Sequence, residues 1–277
     1  MEGLASVWAH PTGRAGLIIV VVLSLCALLA PALAPYPPNA INVPIRFSPP
    51  SAGHWLGTDH LGRDLLSRVI FGARIALGVS IAITGLALMV GALLGIAAAY
   101  APPLIERTIL IFFDLVSSYP AVILALAFVA VLGPGVINLI VVVTLVFIPQ
   151  FGRVARAQAL ALRHQPFLEA EVILGASPAR ILFHHLLPNI VGPLIVLASM
   201  NVPSVITLEA GLSFLGLGVR PPLASWGSML YDGFLNLNQA AWPVIVAAAA
   251  LSLATLGFTL FGEALQTVTD PLAKRGS

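Results

Sequence analysis

Long apolar runs alternate with short polar interruptions along this chain, and those runs set its architecture. Six stand out: residues 15–34, 75–100, 108–132, 136–152, 190–212 and 240–262. Apolar residues occupy every face of a helix drawn through them, the pattern expected where lipid or other helices lie on all sides. About 20 such residues span the hydrocarbon layer of a bilayer. Gly78, Gly85, Gly91 and Gly95 punctuate the second run. Small residues let helix backbones approach closely where lipid supplies no hydrophobic drive for association. In the fourth run the apolar core is short, and Pro149 and Gly152 interrupt its end. The predicted fold is an all-α, polytopic membrane protein with six transmembrane helices. Three longer connections remain: 35–74, irregular after a start rich in proline (Pro35, Pro37, Pro38), then 153–189 and 213–239.

Composition agrees with the pattern. The chain has 277 residues, 59% of them hydrophobic and 9% charged, where a soluble domain carries about 25% charged residues. Its net charge of +2 comes from 13 Lys and Arg against 11 Asp and Glu, scattered over the loops. No basic cluster with interleaved aromatics marks a nucleic-acid partner. The single cysteine, Cys26, lies in the first apolar run and forms no internal disulfide. Arg14 followed by an apolar stretch looks like a secretory leader, but the run is too long and further spans follow; an uncleaved first span is expected. Positive charge in cytoplasmic loops orients the chain. With both termini inside, Arg14, Arg107, Arg153, Arg156, Arg163, Arg180, Lys274 and Arg275 face the cytoplasm. The smaller set Arg46, Arg63, Arg68, Arg74 and Arg220 faces outward.

The cytoplasmic connection carries local helix signals. Pro166 suits a first helical turn, and Glu169 and Glu171 suit the positive end of a helix. Phe167, Ala170 and Leu174 form one apolar ridge. Gly175 suits the left-handed residue that ends a helix. Ser177 is placed to cap a second helix with Pro178 at its first position, and Pro188 is expected to end it. Two short helices about a glycine either lie on the membrane surface or dock into a partner. In the outer segment, Leu61, Leu65 and Val69 fall on one helical face, with Asp64 and Arg68 as an i,i+4 pair. A structural helix at the outer interface is one reading, contact with an external binding protein the other. Asp114 and Glu209 lie in or near spans, where an unpartnered carboxylate costs roughly 2.5–3.5 kcal/mol. Each must face protein or a water-filled path, so helix fixation and a pathway role both stand.

Three stretches resemble one family. Glu169-Ala170-x4-Gly175 with Leu187-Pro188 is similar to the EAA loop of ABC importer permeases. Gly57-Thr58-Asp59-x-Leu61-Gly62-Arg63-Asp64-x-Leu66-Ser67-Arg68, followed by Gly72-Ala73-Arg74, resembles the N-terminal signature of dipeptide, oligopeptide and nickel importer permeases. Glu209-Ala210-x-Leu212-Ser213-Phe214-Leu215-Gly216-Leu217-Gly218, Pro221-Pro222 and Ser225-Trp226-Gly227 resemble their C-terminal signature. Order and spacing resemble the second, shorter permease of those systems over nearly the whole chain. Glu171 stands where alanine is usual, His185 where isoleucine is usual, and Ala224 where proline is usual.

The resemblance implies a type I importer core of five helices over residues 75–277, preceded by an N-terminal unit, 1–74. It implies that Glu169, Ala170, Glu171, Gly175, Ala176, Leu187 and Pro188 couple to ATPase subunits. Implied partners are a homologous second permease, two ATPases and an extracytoplasmic solute-binding protein in a prokaryotic inner membrane. The cargo would be short peptides, or nickel chelates or glutathione-like solutes. The chain itself would bind no cofactor, with ATP and magnesium held by the ATPases.

The sequence supplies no motor or catalyst of its own. A phosphate-binding loop needs Gly-Lys followed by Ser or Thr, and the one lysine, Lys274, sits between Ala273 and Arg275. His184 and His185 are adjacent and diverge on a helix, with His164 distant in sequence. No His-Glu-x-x-His or Gly-x-Ser-x-Gly occurs. An ion-coupled carrier, which often carries internal repeats, and an assembly factor with no solute path are the rival functions.

Overall fold

The computed structural model describes residues 2–163, 165–177 and 180–269, with residues 2–5, 169, 170 and 172 described by backbone alone. A short N-terminal helix, α1 (Glu2–Ala9), and an 18-residue α2 (Pro11–Leu28) are followed by a four-residue α3 (Ala30–Leu33). A looped outer segment then leads into α4 (Leu65–Tyr100). Helices α5 (Pro103–Ser117), α6 (Ala121–Leu132), α7 (Val136–Arg163) and α8 (Pro166–Ile173) follow. A π-helical turn, Ile181–Leu186, runs into α9 (Leu187–Phe214), and α10 (Trp226–Leu235) and α11 (Trp242–Thr269) complete the described chain. Five single helical runs are long and apolar enough to cross a membrane, and α5 with α6, bent by 95°, forms either a broken sixth span or a re-entrant pair. The described residues contain no strand, in keeping with an all-α fold.

Several boundaries depart from the pattern-based expectation. The second span begins at residue 65, ten residues early, because Asp64 caps it: its carboxylate accepts from the Ser67 amide at 2.8 Å and the Ser67 hydroxyl at 2.7 Å. At 36 residues, α4 is about 54 Å long, well beyond the roughly 30 Å of hydrocarbon. Leu61 therefore precedes the helix instead of sharing a face with Leu65 and Val69. The expected Asp64–Arg68 pair is replaced by the cap and by an Arg68–Asp59 contact. The run 108–132 is two helices meeting at 95°, since Pro120 drives Tyr119 out of the helical region. The fourth span continues through Pro149 to Arg163. Neighbouring packing offsets the missing N–H, because Phe151 and Ala155 beyond the proline are fully buried against α4.

Pro188 does not end the second short helix expected after Gly175. It lies at the start of α9 in a run continuous from Arg180 to Phe214. The π register before it, with Leu187 N–H donating to the Leu182 carbonyl, accommodates a residue that cannot donate. Asn189 Nδ2 further satisfies the His185 carbonyl at 2.6 Å. The loop expected over 153–189 thus shrinks to its middle, because α7 and α9 both extend into it. The second outer loop likewise contains α10.

Three buried apolar clusters stack through the bundle. One joins α2, the outer half of α4, α9, α10 and α11 around Trp226 and Ile206. A middle cluster joins α4, α6, α7 and α9 around Ile83, Val143 and Val205. The third joins the inner halves of α4 and α7 to Leu168, Leu186 and Ile190. Glycine has its expected part at the α4–α7 crossing: a Cβ at Gly91 would lie 2.7 Å from the Ile148 carbonyl oxygen, and one at Gly95 would overlap the Gly152 backbone. Gly78 and Gly85 instead face open space.

Candidate functional site

Two regions gather the residues singled out from the sequence. In the first, the looped segment 35–64 is tied to the ends of three helices. Asp59 is the hub, with one carboxylate oxygen accepting from the amides of Leu61 (2.9 Å) and Arg63 (3.0 Å). The other oxygen lies 2.6 Å from Arg63 Nε and 3.5 Å from Arg68 Nε. Arg63 also reaches Asp232 on α10 at 3.2 Å. Asp59, Arg63, Asp64 and Arg68 are all buried, and His54 Nδ1 sits 2.9 Å from Asp64. Thr58 donates to the Ile45 carbonyl and accepts from the Ser48 amide, and its own carbonyl accepts from Trp242 Nε1 on α11 at 3.3 Å. Gly57 and Gly62 hold φ of +77° and +74°. At Gly62 a Cβ would also overlap the Asn42 carbonyl oxygen, so both backbone shape and space demand glycine.

Trp226 connects this N-terminal motif to the C-terminal one. Fully buried, it donates from Nε1 to the Val69 carbonyl at 3.0 Å. Gly72 leaves room for its ring, since a Cβ there would lie 2.7 Å from Trp226 Cδ1. Ser225 caps α10 in a capping box with Ser228. The chain folds back after α9 through Ser213, whose hydroxyl donates to Glu209 at 2.7 Å and accepts from the Val219 amide at 3.0 Å. Glu209 itself is fully buried and lines none of the cavities described below.

The second region is a hairpin. Helix α8 ends in a Schellman turn, with Gly175 at φ +78° and Ala176 N–H donating to the Glu171 carbonyl at 3.0 Å. Ser177 then accepts from the Arg180 amide at 3.3 Å, as a cap for the returning limb. The expected Pro178 helix start, His164, Lys274, Arg275 and the side chains of Glu169 and Ala170 lie outside the described residues. Glu171 spans the two limbs, lying 3.5 Å from His185 Nε2 and 3.9 Å from Arg180 Nε. The two departures from the family pattern therefore face each other. Leu168 and Leu186 anchor the hairpin in the inner core, each 2% exposed. The predicted ridge points the other way: Phe167 is 43% exposed and Leu174 81%, with Ile173 at 84%.

A third set lies between these ends. Asp114 pairs with Arg153 of α7 at 3.0 Å, and Arg153 also reaches Ser117 Oγ at 3.3 Å. Glu106 pairs with Arg156 one turn further along. Arg153 borders a cavity of about 460 Å³ lined also by Gln150, Ser117 and Tyr119. A second cavity of about 580 Å³, lined by Ser204, Thr207 and Gly211 of α9, shares Ala121 and Phe147 with it. Among the described residues no group of three or more His, Cys, Asp or Glu is placed to hold a metal. Sequence reasoning missed Asp232, Trp242 and Leu168. A lone loop carboxylate, a span-end tryptophan and one leucine among many carry no local signal.

Comparison with known proteins adds to this geometry. Residues 7–50 match a family model described as the N-terminal TM domain of oligopeptide transport permease C. The dipeptide transport system permease protein DppC of Alkalihalophilus pseudofirmus is 39% identical over 260 residues, 94% of this chain and 85% of that protein. The glutathione transport system permease protein GsiD of Pectobacterium atrosepticum is 36% identical, covering 96% and 88%. Among solved structures, an inward-facing form of the MetNI methionine ABC transporter gives a TM-score of 0.58 at 19% identity, covering 74% of this chain and 97% of that one, a likeness of fold. Residues 91–275 match the family model for the binding-protein-dependent transport system inner membrane component, and the chain belongs to that family of multi-pass ABC transport permeases.

Proposed function

We propose that this chain is one of two permease subunits of an ATP-driven importer that carries short peptides into the cell. The observation that carries the coupling reading is the hairpin at 166–186. It offers exposed apolar residues (Phe167, Ile173, Leu174) on its outer side while Leu168 and Leu186 lock its inner side into the core. Its returning limb continues without a linker into α9, so a force on the hairpin moves a membrane-crossing helix directly. Glu169, Ala170, Glu171, Gly175, Ala176, Leu187 and Pro188 are the residues of this lever. Partner ATPases hold the ATP and magnesium and close on it, and this chain catalyses no reaction. Both termini are placed in the cytoplasm.

The path is assigned to the face carrying the two joined cavities, with Phe147 at their junction and Asp114 and Arg153 at the cytoplasmic mouth. Glu209 is assigned to helix fixation through Ser213. The outer motif, Gly57 to Arg68 with Trp226, is assigned to holding α4, α10 and α11 together beneath an external solute-binding protein. A homologous second permease would complete the path, and the two matched regions, 7–50 and 91–275, support an N-terminal unit set apart from a core. Peptide cargo rests on the relatives' names, with glutathione-like solutes as the second reading.

Gly175→Val tests the coupling. A β-branched residue at positive φ is strained by about 1–3 kcal/mol, at a site with open space around it, so the turn alone is disturbed. The variant is expected to insert and assemble at wild-type level yet lose uptake and transport-linked ATPase stimulation. Normal uptake would remove the role given to the hairpin.

A further inference from the structure

A cavity of about 620 Å³ lies under the cytoplasmic hairpin, apart from the pathway face. Its walls are apolar: Leu93, Ile96 and Ala97 of α4, Leu168 of α8, and Ile181 and Leu182 of the π turn. At its rim stand Tyr100, the last residue of α4, and Arg163, the last of α7. Arg163 donates to the Ala99 carbonyl at 3.2 Å, and its guanidinium lies 5.6 Å from the Tyr100 ring centre. Among the described residues, that hydrogen bond uses one of five N–H donors of an exposed side chain.

A second observation leads into the same space. Leu86, Met89, Leu93 and Tyr100 are each 40–53% exposed, and with the exposed Ala97 they fall at steps of three and four residues. They form one apolar stripe down α4, on the membrane-crossing part of the helix, which ends at the cavity. An apolar channel closed at the membrane surface by a cation and a phenol is the chemistry of an anionic phospholipid. The acyl chain lies along the stripe and its phosphate meets Arg163. Basic pockets between helices on the cytoplasmic side bind anionic head groups in this way, and aromatic residues mark that depth.

We propose that the cavity between α4 and the hairpin holds one anionic phospholipid, which packs against Leu168 and the π turn and so bears on the joint between lever and bundle. The lipid site is independent of the cargo, and its bearing on the lever rests on the coupling role and orientation proposed above. The test uses the complete importer purified from membranes, exchanged into detergent after incubation with dioleoyl phosphatidylglycerol or dioleoyl phosphatidylcholine, and weighed by native mass spectrometry. The wild-type complex is expected to retain one phosphatidylglycerol that Ala97→Trp, which fills the cavity, does not retain. Should Ala97→Trp fail to assemble, Leu182→Trp enters from the opposite wall. Arg163→Gln is expected to reduce retention at least tenfold and Arg163→Lys to restore it to within about threefold. Equal retention by wild type and the filled variant overturns the site. Equal retention of phosphatidylcholine overturns the head-group assignment, and a partner-subunit segment seated there, with no lipid retained, overturns both.

Discussion

Asp59 offers the sharpest test of the outer clasp, because its neighbours make its charge hard to replace. Asp59→Asn keeps an oxygen for the Leu61 and Arg63 amides but removes the negative charge facing Arg63 at 2.6 Å and Arg68 at 3.5 Å. Both guanidiniums are buried, at 7% and 2% exposure, so water does not substitute for the lost partner. Breaking one side of a buried pair costs about 3–5 kcal/mol. Asp232 remains near Arg63, which places the expected loss toward the lower end. Asp232→Asn supplies the internal contrast: that carboxylate is 31% exposed, and a screened pair contributes about 0.2–1 kcal/mol. At roughly 2–4 °C per kcal/mol for a chain of this size, Asp59→Asn should lower the unfolding midpoint by about 6–12 °C and Asp232→Asn by less than about 4 °C. Trp226 and Trp242 both lie in the clasp, so tryptophan fluorescence of the detergent-purified importer during heating reads it out. Equal, small shifts for the two variants would mean that water reaches the Asp59 cluster and that the clasp is not a buried network.

Further outcomes follow from the same geometry. Gly62→Ala combines a disfavoured φ with overlap on the Asn42 carbonyl; it should cost about 1–3 kcal/mol from the backbone alone and lower membrane yield more than Arg46→Gln, whose exposed side chain leaves stability within about 0.5 kcal/mol. Trp226→Phe removes the indole's bond to the Val69 carbonyl, which keeps its partner within α4, and should cost about 0.5–1.5 kcal/mol, read in the same thermal assay. Gly152→Leu drives a side chain into Phe113 and should block assembly, whereas Gly192→Leu points into open space and should leave yield unchanged in a blot of purified membranes. Arg153→Gln removes an exposed pair and should leave stability within about 1 kcal/mol while lowering peptide uptake at least tenfold in reconstituted vesicles; unchanged uptake would take the path away from that face.

The hydrophobic pattern located every crossing but not its ends. That a crossing exists was legible because lipid demands about 20 apolar residues for each, while its length was not, since α4 and α7 run on well past their apolar runs. The start of α4 depended on an Asp64 cap read from the sequence as an ion pair, and the break at Pro120 lay inside an unbroken apolar run. The hairpin was legible in outline from Gly175 and Ser177, whose roles are local. Its burial was not, since Phe167 and Leu168 look alike until α4 and α7 decide which one faces the core. The motif around Asp59 read as a helix with a surface pair. Its real partners, Asp232 and Trp242, lie more than 160 residues away, and no local spacing announces them.

The lever is tested most directly by a single cysteine on the hairpin. In a Cys26→Ser background, Ile173→Cys places a thiol at a position 84% exposed in the isolated chain. Labelled with a membrane-impermeant maleimide in inside-out vesicles, it should react at least tenfold more slowly when the ATPase subunits are present than when they are absent. The protection should also change between nucleotide-free and ATP-trapped complexes. A thiol that reacts at the same rate in all three states would contradict the account.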